Sequence, residues 1–121
     1  MPKRVLVVED DATIRDTLTF NLKKEGYAVT VAHDGREGLD AIDRTRPDVV
    51  ITDLIMPVLD GLQLIERLVA GGLRLPVIAV SAVGSRLHAA RELGAVEALV
   101  KPVEPAELAA VARKAWRRAN A

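Results

Sequence analysis

The chain has 121 residues, which suits one domain and is too short for two of ordinary size. Half of the residues are hydrophobic but only 2% are aromatic, so the core must be aliphatic, and the absence of cysteine excludes disulfides, thiolate catalysis and cysteine-ligated zinc. The 17 basic and 17 acidic residues cancel, which argues against direct nucleic-acid binding, and no apolar run approaches the ~18 residues of a membrane span, so the reading is a soluble, cytoplasmic protein with no membrane contact.

Strand-length apolar runs alternate with helix-length amphipathic segments. Met1–Pro2–Lys3–Arg4 leads directly into the first strand, Arg4–Glu9, a β-branched run of the kind buried on both faces. A helix is predicted over 13–25, with Ile14, Leu18 and Leu22 on one inward face, and Gly26 stops it. Tyr27–Ala32 is the second strand and Asp34–Gly35 a turn. A helix over 36–44, with Leu39 and Ile42 inward, ends before Pro47. Asp48–Thr52 is the third strand. A loop holding Met56–Pro57 leads to a helix over 61–71. Val77–Val80 is the fourth strand, followed by a helix over 86–93 that Gly94 terminates. Glu97–Val100 is the fifth strand. Pro105 suits the first position of a last helix that runs to Arg118 and carries Trp116 in its core-facing row. Short links between strands and helices force parallel strands with right-handed crossovers, hence an α/β, three-layer, doubly wound sheet. One domain over 1–121 is expected, with no output domain within these residues.

Ligands of open α/β sheets bind beyond the carboxyl ends of the strands, near the switch point. The residues that follow each apolar run are therefore the informative ones: Glu9, Asp10 and Asp11 after the first, Asp53 after the third, Ser81 after the fourth and Lys101 after the fifth. If the first and third strands are neighbours, Glu9, Asp10 and Asp53 converge. Carboxylates brought together need a counter-charge. Lys101 is one, and a hard divalent cation with oxygen ligands, Mg²⁺ above all and Mn²⁺ as a second choice, is the other. Asp11 alone reads as a helix cap. Ser81 could cap the next helix. His33 and His88 lack metal-ligand spacing and read as surface residues. Arg113, Lys114, Arg117 and Arg118 form a basic last turn that suits the helix dipole.

The islands VLVVEDD, ITDLIMPVLDG, VSA and LVKP, in this order, resemble the receiver domain of two-component response regulators. The resemblance covers essentially the whole chain. It implies a flavodoxin-like (βα)5 fold of five parallel strands in the order 2-1-3-4-5. It further implies that Asp53 accepts a phosphoryl group, and that Asp10, Asp53, the Ile55 backbone carbonyl and Glu9 hold Mg²⁺. Lys101 would pair with Asp53 and then with the phosphoryl group, to which the Ser81 hydroxyl and the Ala82 backbone N–H would donate. Lys101–Pro102 would be a cis bond. The donor would be a sensor histidine kinase or a phosphotransfer protein. The output would run through the surface of the fourth helix, fifth strand and fifth helix, to an effector or a second copy. Such a protein catalyses its own phosphorylation and dephosphorylation without being a conventional turnover enzyme.

Three departures from the family pattern stand out. The position three before the lysine, usually aromatic, is Ala98, so coupling would rely on the loop after Ser81 and a small depression is expected at Ala98. The Ser81–Lys101 interval is about two residues short, so the loop Val83–Gly84–Ser85 or the fourth helix must be trimmed. The positions two after Asp53 and two after Ser81 are Ile55 and Val83; both are apolar, which points to a long-lived phosphoform. Two other readings compete. An Mg²⁺-dependent aspartyl-nucleophile phosphohydrolase would want an acid–base aspartate where Ile55 stands. A receiver-like dimerisation or docking module that is never phosphorylated would not need Asp10, Asp53, Ser81 and Lys101 together.

Overall fold

Five strands and five helices alternate strictly in the computed structural model, which describes residues 4–121; the expected lead-in over 1–3 lies outside them. The elements are β1 (Arg4–Val8), α1 (Ala12–Lys24), β2 (Ala28–Ala32), α2 (Gly35–Thr45), β3 (Val49–Asp53), α3 (Gly61–Ala70), β4 (Val77–Ser81), α4 (Gly84–Leu93), β5 (Glu97–Val100) and α5 (Pro105–Ala119). The strands form one parallel sheet in the order β2-β1-β3-β4-β5.

Strand periodicity divides the core. Leu6, Val8 and Val50 face one side and pack with Ile42, Leu64 and Leu87 of α2, α3 and α4. Val5, Val7, Val49 and Ile51 face the other, against Leu22 of α1 and Leu108, Ala109 and Ala112 of α5. Each face therefore removes a separate row of aliphatic side chains from water. Leu39 is half-buried beside the first cluster, and Trp116 packs against the second. Tyr27 anchors the α5 side by donating from its hydroxyl to the Ala109 carbonyl at 2.8 Å.

Local chemistry sets the helix ends. The Asp11, Asp34 and Asp60 side chains accept from backbone N–H groups three residues on, and Asp60 with Gln63 completes a capping box. Pro105 occupies the first turn of α5. Two details differ from the sequence expectation. The α4 helix begins at Gly84, two residues earlier than predicted, so the link after Ser81 is only Ala82–Val83. The row Ile14–Leu18–Leu22 is buried only in part: Leu22 is fully enclosed, Leu18 half-buried and Ile14 37% exposed. A cleft opens beside α1 at that end.

One segment carries backbone strain. Leu59 donates its N–H to the Pro57 carbonyl at 2.8 Å, and Val58 between them has φ +69°. This is a three-residue turn with a β-branched residue at its centre, where glycine is the unstrained choice.

Candidate functional site

The sheet order places β1 beside β3, with β2 and β4 outside them, so the chain reverses its winding direction between these two strands. A crevice at their carboxyl ends is the consequence. The buried polar residues among the described ones are Glu9, Thr52 and Ser81, and all three sit at this edge. Burying polar groups costs free energy unless they are paired, so this edge is where the fold gives up stability for chemistry.

Glu9 follows β1 directly and is 3% exposed. One of its oxygens accepts from Lys101 Nζ at 2.8 Å and the other from the Asp11 N–H at 3.2 Å. Asp53 ends β3. Its Oδ1 accepts from the Leu54 N–H at 2.8 Å, and its Oδ2 lies 3.4 Å from Lys101 Nζ. Asp10 is exposed, and oxygens of Glu9, Asp10 and Asp53 lie within 4.8 Å of one another. Arg15, one turn into α1, donates to the Glu9 carbonyl at 3.0 Å and so fixes the backbone from which Glu9 and Asp10 project.

Lys101 comes from the loop after β5. Its N–H donates to the Ser81 carbonyl at 3.0 Å, which aligns this loop with the end of β4, and the Lys101–Pro102 bond is cis, as the resemblance implies. The sequence reading pairs Lys101 with Asp53. The ammonium is near both carboxylates but closer to Glu9, the more deeply buried of the two.

Burial pushes the Glu9 carboxyl above its ordinary value; the Lys101 hydrogen bond opposes this, and the Asp53 charge reinforces it. Burial works to lower Lys101, but the hydrogen bond to Glu9 and the charge of Asp53 outweigh it and hold the ammonium above its ordinary value.

Ser81 is buried, and its Oγ accepts from the Val83 N–H at 3.1 Å. It is not the cap of α4; that position is Val83, which has no side-chain capping bond. The hydroxyl therefore keeps its own proton to donate. Ala82 is exposed and lines the cleft with Asp53 and Lys101. Ile55 and Val83 are exposed aliphatics on the two loops that leave β3 and β4. His33 and His88 are exposed and pair with Glu37 and Glu92, one turn on.

Three oxygen donors of carboxylate type, gathered within 4.8 Å and only partly offset by one ammonium, fit a hard divalent cation. Arg15 and the Glu9–Lys101 pair are what the sequence reading missed. The signal for Arg15 is faint, an arginine one turn into the helix that follows Glu9 and Asp10. The preference of Lys101 for Glu9 has no local signal, because the partners are 92 residues apart.

The model of the response regulator receiver domain matches residues 5–113. The response regulator MprA of Mycolicibacterium vanbaalenii is 43% identical over 121 residues, which is 98% of this chain and 52% of that protein. The MprA protein of Mycobacterium tuberculosis is 41% identical over the same share. The chain spans about half the length of the curated relatives it matches. Among solved structures, the receiver domain of the Francisella response regulator 1452 superimposes with a TM-score of 0.90 at 32% identity, covering 98% of both chains. A receiver domain protein of Clostridium thermocellum gives 0.89 at 31%, covering 96% of this chain and 95% of its own.

Proposed function

This chain belongs to the response regulator receiver family of two-component signalling, and from that premise we propose that Asp53 accepts a phosphoryl group from a histidine kinase or phosphotransfer protein. The observation that carries the proposal is the position of the Asp53 carboxylate, 3.4 Å from the Lys101 ammonium and within 4.8 Å of the Glu9 and Asp10 oxygens.

In the transfer an Asp53 oxygen attacks phosphorus, the phosphorus–nitrogen bond to the donor's imidazole breaks, and the imidazole leaves with the proton on its other nitrogen. Asp10 and Asp53, with Glu9 and the Ile55 carbonyl, would hold magnesium or manganese, which when bound supplies positive charge to the phosphoryl oxygens. Lys101 transfers its hydrogen bond from Glu9 to a phosphoryl oxygen, and the Ser81 hydroxyl and Ala82 N–H donate to the others. Both histidines are tied to glutamates on the surface, so the donor histidine belongs to a partner.

The product adds about −1.5 to −2 charge at this edge. Readout runs through α4, β5 and α5. There Arg91 donates to the Ala98 carbonyl at 3.3 Å, and Arg118 lies 3.5 Å from Glu97, so a hydrogen bond and an ion pair span the face on which the aromatic position is alanine. Ile55 and Val83 hold no water by hydrogen bonding, and the phosphoform is long-lived as a result. The test is ³²P transfer from labelled acetyl phosphate with Mg²⁺. Label that hydroxylamine releases, and that EDTA prevents from forming, is the expected result. No incorporation, or continuous release of inorganic phosphate within seconds, would overturn the proposal.

A further inference from the structure

Beside the phosphoacceptor lies a cleft of about 520 Å³, within the ~300–1,000 Å³ typical of small-molecule sites. It runs between α1 and the start of α5. Ile14 and Leu18 form one wall, Val103, Pro105 and Leu108 the other, and Val7 of β1 lies at its base. The cleft is the reason why the inward row of α1 is incompletely covered: Ile14 is 37% exposed although its pattern is that of a core residue. At its mouth stand Glu9, Asp53 and Lys101. Together with Asp10, three carboxylates face one ammonium there, which leaves an excess of negative charge at one end of an apolar slot.

We infer that this cleft binds a small amphipathic cation, an alkylammonium whose chain lies along Ile14, Leu18 and Leu108 and whose head group meets the Asp53 carboxylate, in the field of the buried Glu9 beside it. The two halves of the site select the two halves of the ligand. An alkyl chain gains by leaving water. An ammonium makes charge-assisted hydrogen bonds to carboxylates, whereas a carboxylate head would be repelled and a hydroxyl would leave the excess charge unmet. The head group would compete with a divalent cation for the same oxygens, so the ligand would act as an inhibitor of phosphorylation. This inference goes beyond the phosphoacceptor role, and its binding measurements do not depend on transfer.

The test is calorimetry and amide NMR on this chain in metal-free buffer with n-butylamine, n-hexylamine and n-octylamine, and with 1-hexanol and hexanoate as matched controls. Affinity should tighten about fifteenfold for every two methylenes added. Hexylamine should bind about tenfold or more tighter than 1-hexanol. Its shifts should centre on residues 13–18 and 103–108. Ile14→Trp, which fills the cleft from an exposed position, should abolish binding, as should Val103→Phe from the opposite wall, while Phe20→Ala, outside the cleft, should leave it intact. Saturating Mg²⁺ should weaken hexylamine. A flat chain-length series, equal affinity for 1-hexanol, or binding that survives both filling variants would overturn the inference. So would hexylamine affinity unchanged by Mg²⁺ in a chain that calorimetry shows to take up the metal. In a chain that takes up no Mg²⁺ the metal assignment fails, and the chain-length, head-group and filling comparisons still decide the cleft.

Discussion

Val58→Gly should make the protein more stable. Val58 sits at φ +69° in a turn closed by the 2.8 Å bond from Leu59 N–H to the Pro57 carbonyl. A backbone held in a sparsely populated region costs about 1–3 kcal/mol, and a β-branched side chain lies at the unfavourable end. Against that relief stand two losses. Glycine gives the unfolded chain more freedom, which costs about 0.5–1 kcal/mol. Removing the side chain loses little burial, because Val58 is 79% exposed. The net gain is about 0.5–2 kcal/mol, which for a chain of this size is a rise of a few degrees, at about 4 °C per kcal/mol, in the thermal midpoint. Urea denaturation with an unchanged m-value reads it directly. Val69→Gly is the control, since Val69 is also exposed, at 56%, but lies inside α3, where glycine should be destabilising by about 0.5–1 kcal/mol. If Val58→Gly is neutral or destabilising while the control behaves as stated, the turn is not strained and the reasoning fails.

Three other outcomes follow from the geometry. Gly61→Ala should destabilise by about 1–3 kcal/mol, because a Cβ there would collide with the Asp53 carbonyl oxygen and the Leu54 Cα; an unchanged urea midpoint would contradict this. Lys101→Met removes the partner of a buried carboxylate and should cost about 1–3 kcal/mol at neutral pH. Burial holds the folded Glu9 carboxyl above its ordinary 4.5, and losing Lys101 raises it further. The deficit should therefore shrink as pH falls through that raised value toward 4.5, and a pH-independent deficit would count against the assignment. Tyr27, the one tyrosine of the sequence, has its phenol raised above 10.0, by burial first, with the Arg113 charge opposing it. Its absorbance titration should fall at higher pH in the folded chain than in denaturant. The stability held by the neutral phenol is fully present below pH 10.0 and is lost as pH rises through the folded value; coincident folded and unfolded titrations would refute this.

Most of the architecture was legible because strand and helix periods differ. The runs Val5–Val8 and Val49–Ile51 are apolar on both faces, and only a sheet covered on both sides buries such runs. The site was legible for a related reason: polar residues that interrupt those runs mark the strand ends, and Glu9, Asp53, Ser81 and Lys101 all lie there. What escaped was decided by distant contacts or by missing local signals. Lys101 chooses Glu9 over Asp53 through burial, which no spacing encodes. Ile14 carries a core pattern, yet whether it is covered depends on how α5 begins. The start of α4 at Gly84 was missed because neither Gly84 nor the cap Val83 gives a helix-start signal. The strained turn at Val58 was invisible because glycine, the residue that announces such geometry, is absent from that position.

The central claim is that Asp53 is the acceptor, in a pocket completed by Lys101 and the neighbouring carboxylates. Intact-mass spectrometry after incubation with acetyl phosphate and Mg²⁺ tests it most directly, with the wild type and Asp53→Asn treated side by side. The account predicts the gain of one phosphoryl group by the wild type and none by the variant. Equal gain by both proteins, or a phosphoryl group that peptide mapping places on another side chain, would contradict it.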